Sequence, residues 1–199
     1  MKKISTLTTL TLTALTLTNS ACAYPSITEI NSPPAVEVPP IIKYDLTWKC
    51  PNCTPNEKYV LEQIQAKTRI ADRNALSTLM GNIKSESNFH PNICEGGSRV
   101  PYTQCYSGGY GLIQWTTAGR YNNLGKFCAK YDCDPSSLEG QTRYMINENI
   151  FQTQLPYFEG SGQTVSYYMN AAYRWLGWGI KGNREVYAYE YVNKLKYLV

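Results

Sequence analysis

Between Leu76 and Ile83 the chain carries one apolar stripe at helical spacing, and that stripe has to be buried. Leu76, Leu79, Met80 and Ile83 recur at intervals of three and four, the pattern of one buried helix face. Asp72 stands before the stripe as a capping residue, and Asn88 with His90-Pro91 follows where the helix should stop. At about 100° per residue, Glu86 falls about 60° from Ile83 and about 20° from Leu79. Glu86 therefore belongs to the edge of the core-facing side, close to the helix C-terminus.

A carboxyl in that place has two readings. Partial burial and the negative end of the helix dipole both disfavour the ionised form. Glu86 would then tend to hold its proton near neutral pH, as a general acid must. The alternative is a structural carboxylate hydrogen-bonded to a loop, and position alone leaves both open. His90, the chain's single histidine, could tune Glu86, or cap the helix end, or face solvent.

Residues 91–109 read as a loop, punctuated by Pro91, Gly96, Gly97, Pro101, Gly108 and Gly109. It leads into Gly109-Tyr110-Gly111-Leu112-Ile113-Gln114-Trp115. The glycines permit close backbone approach, and glutamine and indole are groups that hydrogen-bond to and stack on sugars. Taken alone, this segment also fits a plain piece of core.

Together the two stretches resemble a known family. Gly81-Asn82-Ile83 through Glu86-Ser87 and Phe89, followed by Gly109-Tyr110-Gly111-Leu112-Ile113-Gln114-Trp115-Thr116, look like the phage tail lysozyme family. This family lies within the lysozyme-like superfamily that includes lytic transglycosylases and goose-type lysozymes. The likeness covers roughly residues 56–199 and is strongest between Leu76 and Tyr131. It implies a mainly α fold, a lysozyme-like helical domain with a small loop or β-hairpin region flanking a cleft. Glu86 matches the catalytic acid, Ser87 the serine beside it, and Gln114 the glutamine of the substrate groove. Tyr110 and Trp115 would join the substrate wall. Ala172-Tyr173 resembles an Ala-Tyr pair near the acid in transglycosylases, although Arg174 stands where asparagine is usual.

The implied chemistry is cleavage of the β-1,4 bond between N-acetylmuramic acid and N-acetylglucosamine in peptidoglycan glycan strands, with no cofactor and no metal. Two-carboxylate glycosidases need a second acidic residue. Glu95, Glu139, Glu148 and Glu159 are available, but none sits in a matching motif. A one-glutamate site suits a lytic transglycosylase or a single-acid muramidase. A non-catalytic wall-binding module and a disulfide-stapled surface protein are the alternatives.

The remaining sequence bounds the setting. Lys2-Lys3, the leucine-threonine run Leu7–Leu17 and Ala21-Cys22-Ala23 read as a signal peptide over residues 1–23. A second reading makes Cys22 a lipidated cysteine of an outer-membrane lipoprotein. Export to the periplasm or medium follows from either. Loss of Lys2 and Lys3 takes the formal charge from +4 to about +2. No basic stripe accompanies it, which argues against nucleic acid as a partner. A monomer acting on glycan strands is expected, alone or within a larger envelope or phage-like assembly.

Residues 24–53 are proline-rich and aperiodic, an arm or linker, and the catalytic domain is expected over 54–199. Without Cys22, six cysteines remain, an even number that suits disulfides in an exported chain. Chain order favours local pairing, Cys94–Cys105 and Cys128–Cys133, leaving Cys50–Cys53, although other connectivities are open. Zinc binding at Cys50-Pro51-Asn52-Cys53 lacks further ligands, and a redox motif would want a strand before it.

Thr54-Pro55-Asn56-Glu57 is a capping box with proline at the first helical position. Further helices are expected through Tyr121–Tyr131, after Asp134-Pro135-Ser136-Ser137, over Thr164–Leu176 and from Asn183 through Leu198. Tyr167, Tyr168, Tyr173, Trp175, Trp178, Tyr187, Tyr189 and Tyr191 crowd the last third. Their spacing favours packing between helices for most of them, with a sugar-stacking wall as the other possibility.

Overall fold

Thr54 opens the first helix as its sequence announces. Its hydroxyl accepts the Glu57 amide, and the Glu57 carboxylate accepts the Thr54 amide at 2.6 Å, which satisfies two end donors at once. The structure, a computed structural model, describes residues 47–106 and 108–197. All of them lie within one unit, Tyr44–Val199. The expected signal peptide, the Cys22 lipidation site and most of the arm lie outside the described residues.

Seven α-helices carry the described fold: α1 Pro55–Lys67, α2 Arg73–Ser87, α3 Ala118–Tyr131, α4 Leu138–Asn147, α5 Asn149–Phe158, α6 Val165–Leu176 and α7 Arg184–Lys194. Side-chain caps start most of them: Asp72 for α2, Thr117 for α3, Ser137 for α4 and Thr164 for α6. Each such cap stabilises its helix by about 1 kcal/mol. Gly177 ends α6 in the left-handed conformation at φ 69°, where glycine pays no steric penalty.

α2 is the central element. Leu76, Leu79, Met80 and Ile83 are fully buried, together with Ser77, Thr78 and Asn82 on the remaining faces. Burial of each large apolar side chain contributes about 1.5–3 kcal/mol. The helix packs chiefly against α7 and then α6. Gly81 lets α7 come close, because an added Cβ there would sit 2.4 Å from the Ala188 nitrogen.

The mainly α, disulfide-stapled architecture matches the expectation, and three of its details differ. The folded region starts before residue 54. β1, Trp48–Lys49, pairs antiparallel with β2, Lys196–Tyr197, and Cys50 and Cys53 join the core. The last helix stops at Lys194 rather than reaching 198, because Leu195 turns to extended backbone. No expectation covered α5, which contains Pro156 and starts without a side-chain cap.

The cysteines pair locally as Cys50–Cys53, Cys94–Cys105 and Cys128–Cys133. The second bridge pins the loop before Gly109. There, isolated bridges join Ile93 to Arg99 and Cys94 to Tyr110, and one 3-10 turn covers Tyr102–Gln104. This is the small irregular region expected beside a cleft. Of the eight C-terminal aromatics, Tyr168, Trp175 and Tyr191 are buried while Tyr167, Tyr173 and Tyr189 are exposed. Trp178 and Tyr187 are partly buried, Trp178 against the core, so packing accounts for most of the eight as their spacing suggested.

Candidate active site

The end of α2, residues 113–117, Arg120 of α3 and the turn between α6 and α7 line an open cavity of about 580 Å³. That volume suits a small-molecule or saccharide site. Glu86 stands in the last turn of α2, and its side chain is 13% exposed. It lines the cavity with Ile113 and Gln114 on one side and with Trp178, Ile180 and Arg184 on the other. The helical-wheel position at the core edge is the observed one.

The partner of Glu86 was not foreseen. Arg184 Nη2 donates to Glu86 Oε1 at 2.6 Å. Burial and the helix end pointed to a carboxyl that tends to hold its proton; the structure adds a guanidinium at one of its two oxygens and leaves the other facing the cavity side of the pair. Arg184 is itself fixed. Its Nη1 donates to the carbonyls of Ile180 and Lys181 at 2.9 and 3.0 Å, and its guanidinium lies 4.9 Å from the centre of the Trp178 ring.

The facing segment is held from behind. Gln141 on α4 accepts the Leu112 amide at 2.8 Å and donates to the carbonyls of Pro91 and Pro135 at 2.6 and 2.7 Å. Gly111, at φ 72°, leaves room for that amide group, since an added Cβ would lie 2.2 Å from Gln141 Oε1. The turn this creates puts Gln114 at φ 51°, an uncommon conformation for a residue with a side chain. Gln114 Nε2 donates back to the Gly111 carbonyl at 3.0 Å.

The structure brings together some of the expected site residues and removes others. Glu86 and Gln114 share the cavity. Ser87 does not line it: its hydroxyl is buried and bonds to the Leu112 carbonyl at 2.8 Å, tying the acid's helix to the facing segment. Tyr110 and Trp115 are corrected from substrate wall to core, both fully buried. The Tyr110 hydroxyl donates to the Val100 carbonyl at 3.1 Å, and Trp115 packs on Tyr144 with ring centres 5.3 Å apart. Tyr173 is 52% exposed and stands outside the lining, with its ring 5.4 Å from the Trp178 ring. His90 is also outside; burial and then Arg99 hold its imidazole below the ordinary value.

The four other carboxylates considered for catalysis are engaged elsewhere. Glu95 accepts the Gly109 amide at 3.0 Å. Glu139 pairs with Arg143 on the surface and Glu159 with Arg69. Glu148, buried, forms a two-point pair with Arg120 at 2.7 and 2.6 Å. Arg120 lines the cavity and Glu148 does not. Among the described residues, Glu86 is the one carboxylate that lines the cavity.

Arg184, Arg120 and Gln141 were missed as site residues from sequence, while Trp178 was named only within the group of C-terminal aromatics for which a sugar-stacking wall was the other possibility. Of the three missed, only Arg184 left a trace, because a cation as the first residue of a helix opposes the dipole and asks for a specific partner. Gln141 looked like one more helical residue, since nothing local shows that its amide is buried beneath a distant turn.

Comparison with known proteins completes the picture. Neither the curated proteins nor the solved structures contain a significant match to the chain. A family model described as phage tail lysozyme matches residues 55–194, well over half of the chain and the whole of the helical region that builds the cavity. The chain belongs to the phage tail lysozyme family, a lysozyme-like family whose function is peptidoglycan degradation.

Proposed function

We propose that this protein cleaves the β-1,4 bond between N-acetylmuramic acid and N-acetylglucosamine in peptidoglycan glycan strands, with Glu86 as its single catalytic acid. The observation that carries this reading is that Glu86 alone, among carboxylates of the described residues, lines the cavity. The facing Gln114 and the family membership support it.

The mechanism follows from having one acid. Glu86 delivers its proton to the glycosidic oxygen as the C1–O bond breaks, and the electron pair of that bond leaves with the oxygen. With no second carboxylate lining the cavity among the described residues, the acetamido carbonyl of the muramic residue attacks C1 from the opposite face. Glu86, now a carboxylate, takes a proton from the group that next attacks C1. If that group is water the product is a reducing end; if it is the sugar's own 6-hydroxyl the product is the 1,6-anhydro form. Export to an oxidising compartment fits three local disulfides, and one chain suffices for the reaction.

The test is mass analysis of purified sacculi after digestion by wild type and by Glu86→Gln. The wild type should release muropeptides whose ends report hydrolysis or anhydro formation. The variant should bind sacculi and release muropeptides only at a small residual rate. Intact sacculi after incubation with well-folded wild type would overturn the reading in favour of a wall-binding module.

A further inference from the structure

We propose that Arg184 is the positioning residue of the acid: it holds Glu86 and stabilises the charge that appears on Glu86 as the proton leaves. The inference rests on the reading of Glu86 as the acid. Its physical basis is the way Arg184 is anchored. A side chain that merely neutralised Glu86 could reach it from anywhere on a flexible stem. Arg184 is instead 9% exposed and has its other terminal nitrogen bound to two carbonyls of the α6–α7 turn, Ile180 and Lys181. Its Nε is buried with no hydrogen-bond partner. The Trp178 ring covers the guanidinium.

That arrangement is costly in isolation. It places a cation at the start of α7, where the helix dipole opposes it, and it buries a donor without a partner. The compensating contact is the 2.6 Å bond to Glu86 Oε1. Only a planar fork serves carbonyls on one nitrogen and a carboxylate on the other while its face lies against a ring.

The contact also tells the two carboxyl oxygens apart. With Oε1 engaged by Arg184, Oε2 is the oxygen that carries the proton to the leaving group. As the C1–O bond breaks, its electron pair goes to the departing oxygen, which takes the proton from Oε2. The negative charge left on Glu86 is shared with Oε1, already facing a guanidinium. An interaction that grows during the step lowers the barrier without tightening substrate binding. The same turn gives Trp178 and Ile180 to the cavity wall, so sugar seated on that wall and the acid beneath it share one support.

The test is steady-state cleavage of a purified glycan-strand fragment by wild type, Arg184→Met, Arg184→Lys, Glu86→Gln and the Glu86→Gln/Arg184→Met pair, each rate normalised to the folded fraction. Arg184→Met should lower kcat by about 10²-fold with KM nearly unchanged, the usual loss on removing one preorganised donor to developing charge. Arg184→Lys keeps the charge without the fork and should recover part of kcat. In the Glu86→Gln background, adding Arg184→Met should change the residual rate little, because the charge it serves no longer forms.

A rise in KM at constant kcat would overturn the proposal and make Arg184 a substrate-binding group. An equal further loss in the Glu86→Gln background would overturn it too, since Arg184 would then act independently of the acid. A normal kcat for Arg184→Met beside a strongly impaired Glu86→Gln sinks this inference alone. Full activity of Glu86→Gln removes the reading beneath it as well.

Discussion

Gly81 of α2 lies directly against the backbone of Ala188 in α7: a Cβ on Gly81 would fall 2.4 Å from the Ala188 nitrogen and 2.7 Å from its Cα. Ala188 is one helical turn beyond Arg184, so this close crossing also sets the reach of Arg184 to Glu86. Intrinsic propensity favours alanine over glycine inside a helix by about 0.5–1 kcal/mol. The obstacle here is backbone, which cannot rotate away, so packing decides the sign. Gly81→Ala should destabilise the protein by about 1–3 kcal/mol, seen as a lower midpoint in thermal unfolding. The folded fraction should also be slower in glycan cleavage, because α7 carries Arg184 outward with it. A midpoint at or above that of wild type would show that the helices are not locked at this crossing.

Gln141 supports the cavity from below. Gln141→Leu keeps the side-chain size but leaves the Leu112 amide and the Pro91 and Pro135 carbonyls without their present partner. Each buried unsatisfied group costs about 1–3 kcal/mol, so a total of about 3 kcal/mol or more is expected in denaturant unfolding. Gln141→Glu keeps the acceptor for Leu112 but sets a buried carboxylate oxygen against the Pro91 and Pro135 carbonyls, and should cost at least as much as Gln141→Leu. Sacculus cleavage should drop with the same ranking, through displacement of Gln114.

The helices were legible because local chemistry dictates them. The capping box at Thr54, the Asp72 cap and the stripe from Leu76 to Ile83 each act within one or two turns, and α1 and α2 follow. Glu86 was legible for the same reason, since helical geometry alone puts it at the core edge. What escaped was set by pairs far apart in sequence. Arg184 lies 98 positions from Glu86, and Gln141 lies 29 from Leu112. Tyr110 and Trp115 misled because an aromatic ring suits a sugar and a core equally well. The difference is which face of the Gly109–Trp115 turn points inward, and that depends on the buried Gln141 amide.

The Cys94–Cys105 bridge closes a span of 11 residues just before the Gly109–Trp115 turn. Restricting the unfolded chain over a loop of this size is worth about 2–3 kcal/mol. Replacing both cysteines by alanine should lower the unfolding midpoint accordingly. Because Glu95 also holds the Gly109 amide at 3.0 Å, the turn should survive at room temperature and cleavage should fall only modestly there. Activity should then be lost at a temperature below the global midpoint, measurable by comparing residual rate with the unfolding curve. Coincident curves would mean that the loop and the core melt together.

Glu57 and Tyr191 join α1 to α7 through a hydrogen bond from the tyrosine hydroxyl to the carboxylate. Burial pushes Glu57 up, but the bonds from Tyr191 and from Thr54, with Lys194 nearby, outweigh it and hold the carboxyl below its ordinary 4.5. Burial first, and then Glu57, push the Tyr191 hydroxyl up, so it remains a donor at any working pH. A carboxyl lowered in the folded state contributes stability that is present above its unfolded value and is lost as pH falls through the folded one. The Glu57 contribution should therefore be complete above its ordinary value of 4.5 and be lost as the pH falls through the lower folded-state value. Tyr191→Phe removes the strongest lowering contact and leaves burial in place, so the Glu57 carboxyl should rise. The variant should lose about 1.5–3 kcal/mol near neutral pH, the range for a hydrogen bond to a charged group. The gap to wild type should narrow as the pH falls through the lowered folded-state value of Glu57, because once the carboxyl is protonated in both states the bond to a charge no longer exists. Urea midpoints for the two proteins across this range decide it: a gap that stays constant with pH would assign the loss to packing of the ring rather than to the carboxylate.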